Sequence, residues 1–153
     1  MASTGSTAPQ LSPETQGSST KCVVLVDDEK AYIDLLEQLL ASHLSCPVYS
    51  FANATDALRA LPNLDVGLIV TDYNMPEIDG LQLLAEVKQR LPSVPAVMIT
   101  AYQENFTEQQ LANVPNLKLV IRKPFKWITL AEHISQYWNG STPPFPMTRN
   151  GGI

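Results

Sequence analysis

The sequence predicts a doubly wound α/β domain, a five-stranded parallel sheet with helices on both faces. Three observations carry this. Five short apolar runs lie between residues 21 and 139. Segments with helical spacing of apolar residues separate them. The runs are continuous and rich in β-branched residues, as strands buried on both faces require.

The first run is Cys22-Val23-Val24-Leu25-Val26. Tyr32, Leu35, Leu36, Leu39 and Leu40 follow at helical spacing. Val48-Tyr49-Ser50-Phe51 reads as a weak second strand, and Asn53 is placed to cap a short helix through Ala57, Leu58 and Leu61. Leu68-Ile69-Val70 forms the third strand and runs into Thr71-Asp72. Asp79 precedes a helix with Leu81, Leu84, Val87 and Leu91 in register. Ala96 to Thr100 is the fourth strand and Leu117 to Ile121 the fifth. Between them, Gln103 to Asn113 is mostly polar, with Phe106, Leu111 and Val114 as its large apolar anchors. A short, loosely held helix is expected there. Trp127, Leu130, Ala131, Ile134, Tyr137 and Trp138 mark the closing helix. Right-handed crossovers complete the doubly wound arrangement.

Composition sets the boundaries. Residues 1–20 are rich in Ser, Thr, Gly and Pro with one charge, Glu14, and read as a disordered leader. Residues 140–153 hold Pro143, Pro144, Pro146, Gly151 and Gly152 and read as a flexible tail or the start of a linker. The intervening domain, 21–139, has 9 Lys or Arg against 14 Asp or Glu. Its net charge of −5 argues against direct nucleic-acid binding. No apolar run reaches membrane-spanning length, and the N-terminus does not read as a signal peptide. Two cysteines, Cys22 and Cys46, make neither a disulfide framework nor a zinc site. Reduced thiols in a cytoplasmic protein are expected.

Ligands of such sheets bind beyond the carboxyl ends of the strands. There the sequence places Asp27, Asp28 and Glu29 after the first strand, Asp72 at the third, Thr100 at the fourth and Lys123 after the fifth. Carboxylates packed together repel, and a divalent cation relieves the conflict. Hard oxygen ligands without nearby His or Cys favour Mg²⁺. Such a site suits phosphoryl transfer to a carboxylate, with Lys123 offsetting charge on the transferring oxygens and Thr100 supplying a hydrogen bond. His43 and His133 lack the company of a ligand or nucleophile.

Val26-Asp27-Asp28, Thr71-Asp72-Tyr73-Asn74-Met75-Pro76 with Asp79-Gly80 behind it, Ile99-Thr100-Ala101 and Lys123-Pro124-Phe125 together resemble the receiver domain of two-component response regulators, over about residues 21–139. The resemblance implies a flavodoxin-like, CheY-like sheet of strand order 2-1-3-4-5. It implies that Asp72 accepts a phosphoryl group from a histidine kinase or histidine phosphotransfer protein. It implies that Asp28, Asp72 and the backbone carbonyl of Asn74 bind Mg²⁺, that Asp27 helps through water, and that Thr100 and Lys123 contact the phosphoryl oxygens. It implies a cis Lys123–Pro124 peptide. Both homodimers through the last strand and helix and monomers fit the resemblance.

One departure stands out. Val120 occupies the position, three residues before the lysine, where the family usually has a switching aromatic. Tyr102 is a candidate substitute. Output is expected through altered protein–protein binding, with catalysis limited to phosphorylation of Asp72 and hydrolysis from it. The alternatives are a receiver cut from a longer regulator with a DNA-binding or enzymatic output domain, a constitutive receiver-like binding module, or an aspartate-based phosphatase. Asn74 weakens the last, because it stands where that class needs a second aspartate.

Overall fold

The computed structural model describes residues 21–101 and 105–146. The leader expected over 1–20, Tyr102, and the end of the tail from 147 lie outside the described residues.

Five strands, β1 (Cys22–Val26), β2 (Val48–Phe51), β3 (Val66–Asp72), β4 (Ala96–Thr100) and β5 (Leu117–Arg122), form one sheet in the order β2-β1-β3-β4-β5. All four pairings are parallel. The helices are α1 (Lys30–His43), α2 (Ala54–Ala60), α3 (Gly80–Arg90), α4 (Glu108–Ala112) and α5 (Trp127–Tyr137), with a 3₁₀ turn at Leu61–Asn63. The expected fold class and strand order are the observed ones.

Side chains along a strand alternate between faces, so each central strand feeds two cores. Val24, Val26, Ile69 and Ala96 pack with Ala57, Leu61, Leu83, Leu84 and Val87 of the α2–α3 side. Val23, Leu25, Leu68, Val70, Val97 and Ile99 pack with Ile33, Leu36, Leu40, Leu130, Ala131 and Ile134 of the α1–α5 side. β1, β3 and β4 are buried along their whole length.

Local chemistry places the helix starts. The Asn53 side chain accepts from the Asp56 amide at 2.7 Å, as its capping position predicts. Asp79 and Gln82 form a reciprocal capping box on α3, and Thr107 and Gln110 do the same on α4.

The structure corrects details of the sequence reading. On α1, Ile33 joins Leu36 and Leu40 in the core, whereas Leu35 is 56% exposed. On α3, Leu83 is fully buried beside Leu84. β3 begins at Val66, earlier than its apolar run suggests. The residues at 144 and 145, assigned by composition to a tail, are held against the body. Ser45 donates from its amide to the Pro144 carbonyl at 2.9 Å. The Ser135 hydroxyl bonds both the carbonyl and the amide of Phe145, each at 2.8 Å. The Phe145 ring stands edge-on to Trp127, with centroids 6.4 Å apart.

Candidate functional site

The carboxyl ends of β1, β3, β4 and β5 meet at a cavity of about 260 Å³ lined by Asp28, Glu29, Asp72, Asn74, Ala101 and Lys123. Asp27 follows β1 directly and is 2% exposed. Its Oδ1 accepts from the Glu29 amide at 2.9 Å, turning the chain into α1. Asp28 is exposed at the rim. Asp72 ends β3 and is 7% exposed. One carboxylate oxygen from each of Asp27, Asp28 and Asp72 lies within 4.8 Å of the other two.

Asp72 is held from both sides of its loop. The Tyr73 amide donates to the Ile99 carbonyl at 2.7 Å, and the Gly80 amide donates to the Tyr73 carbonyl at 2.8 Å. Gly80 is required for close approach, since a Cβ there would sit 2.6 Å from the Asp72 carbonyl oxygen. In between, Glu77 has φ 74°, and the Ile78 amide donates to the Pro76 carbonyl at 2.9 Å, a tight turn in the left-handed region.

Lys123 follows β5 and reaches across the sheet. Its Nζ is 3.4 Å from Asp27 Oδ2, 3.3 Å from Glu29 Oε1 and 3.7 Å from Asp72 Oδ1. It also lies 4.6 Å from the centroid of the Tyr32 ring. The Lys123 amide donates to the Thr100 carbonyl at 2.9 Å, so these two residues are tied through the backbone. Thr100 is buried at the end of β4. The Lys123–Pro124 peptide is cis.

The electrostatics show an excess of negative charge. Burial pushes the Asp72 carboxyl up to about 6; Asp27 adds to the rise and Lys123 opposes it. Burial also raises Asp27, against the Glu29 amide and Lys123. Burial is the largest single influence on Lys123 and pulls it down, but the Asp27 and Asp72 carboxylates and the Glu29 hydrogen bond outweigh it, leaving it above its ordinary value. One ammonium does not neutralise this many carboxylates. An all-oxygen donor set of three clustered carboxylates fits a hard divalent cation such as Mg²⁺.

Every site residue singled out in the sequence is thus at this end of the sheet: Asp27, Asp28, Asp72, Asn74, Thr100 and Lys123. Two further residues contribute, Glu29 and Tyr32. Glu29 was visible as the third acid after β1 but reads as a helix cap. Tyr32 reads as part of the apolar face of α1; the signal was its place one helical turn beyond Glu29.

The chain matches the family model of the response regulator receiver domain over residues 23–135. It belongs to that family. Among curated relatives, the DNA-binding transcriptional regulator NtrC of Escherichia coli (strain K12) is 36% identical over 83 residues, 54% of this chain and 17% of the relative. The transcriptional regulatory protein GlrR of the same organism is 34% identical over 80 residues, 52% of this chain and 18% of the relative. The chain therefore spans less than a fifth of the length of these relatives. Among solved structures, a CheY-like response regulator receiver domain protein from Methanospirillum hungatei superposes with a TM-score of 0.67 at 26% identity, over 77% of this chain and 93% of that one. The response regulator TrrA of Thermotoga maritima, solved in complex with Mg²⁺-BeF, shares the fold at 22% identity with the same TM-score, over 76% of this chain and 98% of that one. Among the described residues, no helix of this receiver domain is long and apolar enough to cross a membrane.

Proposed function

We propose that this receiver domain is a cytoplasmic phosphoacceptor that takes a phosphoryl group onto Asp72 from a phosphohistidine of a histidine kinase or histidine phosphotransfer protein. The observation that carries this reading is the Lys123 ammonium 3.4 Å from Asp27 and 3.7 Å from Asp72, whose carboxylates cluster with that of Asp28 at the strand ends. An Asp72 carboxylate oxygen forms the new O–P bond as the P–N bond of the phosphohistidine breaks, and the imidazole nitrogen leaves with the bonding pair. With its carboxyl pushed up to about 6, Asp72 is mostly ionised at pH 7 and available as the nucleophile. Asp28, Asp72 and the Asn74 backbone carbonyl would hold Mg²⁺, with Asp27 acting through water. The cation would supply positive charge to the transferring oxygens. Lys123 contributes its own charge to the same oxygens, and the Thr100 hydroxyl a hydrogen bond.

Phosphorylation replaces a carboxylate by a more highly charged group beside Lys123 and Thr100. Those two residues are joined by a backbone hydrogen bond at the β4–β5 edge. A shift of either moves that edge and the partner-binding surface it presents. Val120 is half-buried on β5 and has no ring to swing, so the family's usual aromatic device is replaced by another coupling.

A second reading of the output follows from the relatives. NtrC and GlrR are named as transcriptional regulators and extend far beyond the matched segment. In that reading the domain controls a DNA-binding partner region of a longer regulator rather than a separate protein. Reading the gene on both sides of the sequence decides between them.

The test of the chemistry is intact mass after incubation with Mg²⁺ and acetyl phosphate, beside Asp72→Asn. One added phosphoryl group, absent without Mg²⁺ and absent in the variant, is expected. No added mass, together with no binding of a stable phosphoryl mimic, would overturn the reading and leave a constitutive binding module.

A further inference from the structure

The geometry points to Tyr32 as a positioning residue for Lys123, its ring face holding the ammonium at the phosphoacceptor site. This rests on the reading of Asp72 as phosphoacceptor and deepens it. A tight ammonium–carboxylate hydrogen bond spans about 2.7–2.9 Å. The three carboxylate contacts of Lys123 measure 3.3, 3.4 and 3.7 Å. No carboxylate clamps the ammonium; it is shared among them. The Tyr32 ring, 4.6 Å from Nζ to its centroid, supplies a further attractive side.

The ring is itself well placed for this. Tyr32 lies in the first turn of α1, which begins next to Glu29. It is half-buried and lines an apolar groove with Leu36, Leu39, Phe125 and Trp127. Phe125 lies two residues beyond Lys123, so the groove wall and the lysine are set by the same loop. A partly desolvated cation–π contact is stronger than an exposed one.

The chemical advantage lies in the kind of attraction. A further carboxylate would hold the ammonium as a counter-ion and compete with the phosphoryl oxygens for it. An aromatic face attracts the cation without carrying a formal negative charge. Glu29, by contrast, has an exposed side chain and draws the ammonium toward solvent. The ring offsets that pull and leaves Lys123 free to turn to the transferring oxygens.

Three variants test this: Tyr32→Phe, which keeps the ring, and Tyr32→Leu and Tyr32→Met, which remove it while remaining apolar. The first readout needs no phosphorylation. The Lys123 ε-methylene protons should show an upfield ring-current shift that Tyr32→Phe retains and both ring-free variants lose. The second is the rate of mass gain with acetyl phosphate and Mg²⁺. The small donor needs no docking surface, so a lost protein contact does not enter. The ring-free variants should be slower by about three- to ten-fold, and Tyr32→Phe should match the parent. Equal rates in the parent and the ring-free variants would overturn the inference, as would Tyr32→Phe being as slow as they are. If neither the variants nor the parent gains mass, and the parent binds no stable phosphoryl mimic, the phosphoacceptor reading itself falls. The ring-current arm separates that failure from absence of the Tyr32–Lys123 contact.

Discussion

Helices α3 and α4 begin with the same device, a capping box of Asp79 with Gln82 in one and Thr107 with Gln110 in the other. Beyond that first turn they diverge. α3 runs for 11 residues and buries Gly80, Leu83, Leu84 and Val87, whereas α4 runs for 5 residues and buries none. A cap fixes where a helix starts, but tertiary packing of an apolar face supplies most of its stability. The same contrast separates the strands. β1, β3 and β4 are buried throughout, while β5 has only half-buried and exposed residues. The acidic residues Asp27, Asp28 and Asp72 follow or end the buried strands. Lys123 arrives from the thinly covered edge. The site therefore joins a firmly packed half to one with little to hold it, and under the proposed function added charge at Asp72 should be felt on the second.

The largest effect is expected where the packed half is cut. Leu84 is fully buried in the α2–α3 core. Leu84→Ala should cost about 2–5 kcal/mol in urea unfolding, through lost transfer energy and the cavity left behind. A cost below about 1 kcal/mol would show that α3 is no better anchored than α4, and the comparison would fail.

The next effect tests the charge at the junction. The Asp72 carboxyl is pushed up to about 6 in the folded chain, against 3.8 as its ordinary value. Between those values the native state binds more protons than the unfolded one, so metal-free stability falls as pH rises through that window. Asn resembles the protonated acid. Metal-free Asp72→Asn should thus be more stable than the parent by about 1–3 kcal/mol at pH 7. The difference should vanish below about pH 4. Thermal melts across pH measure this, and adding Mg²⁺ should stabilise the parent more than the variant. A variant less stable than the metal-free parent at pH 7 would mean that Lys123 already neutralises the site.

How much of this was legible in the sequence follows the same division. The continuous runs of β1, β3 and β4 announce burial on both faces because each residue is apolar whichever way it points. Their acidic followers stand out against that background, and so Asp27, Asp28, Asp72, Thr100 and Lys123 could be read directly. β5 looks equally apolar from Leu117 to Ile121, yet it is an edge strand. Edge position is a property of strand order, which no local run encodes. In the sequence Tyr32 reads as an apolar helix residue because its partner, Lys123, is distant in sequence and close only once β5 is in place. The segment around Phe145 looks like tail because proline and glycine dominate it. The groups that hold it, Ser45 in the α1–β2 loop and Ser135 on α5, are distant in sequence.

That segment gives a smaller test. Ser135 is buried, and its hydroxyl both donates to the Phe145 carbonyl and accepts from the Phe145 amide. Ser135→Ala should cost about 1–2 kcal/mol, since two bonds are lost and the Phe145 groups can turn to water. Limited proteolysis should then cut near Phe145 faster than in the parent. An unchanged cleavage rate would mean that the Ser45 contact and the Trp127–Phe145 ring pair hold the segment alone.

The smallest effect is expected on α4, where the comparison is sharpest. Leu111 is 39% exposed, and α4 buries no residue of its own. Val114, just beyond the helix, is the buried anchor, and Lys88 of α3 donates to the Asn113 carbonyl at 2.8 Å. The helix is thus moored at its two ends, by the Tyr73–Phe106 ring pair just before its cap and by Val114 just after it, and among the described residues it buries none of its own. Leu111→Ala should change global stability by less than about 0.5 kcal/mol. Amide exchange should tell the two helices apart even so. The α4 amides should exchange by local opening, with protection well below that of α3, whose amides should approach the global unfolding limit. Phosphorylation at Asp72 should alter α4 protection more than that of α3, because only α4 has stability low enough for a local charge to shift. Equal protection in both helices would place α4 in the cooperative core, and the output surface would have to be sought elsewhere.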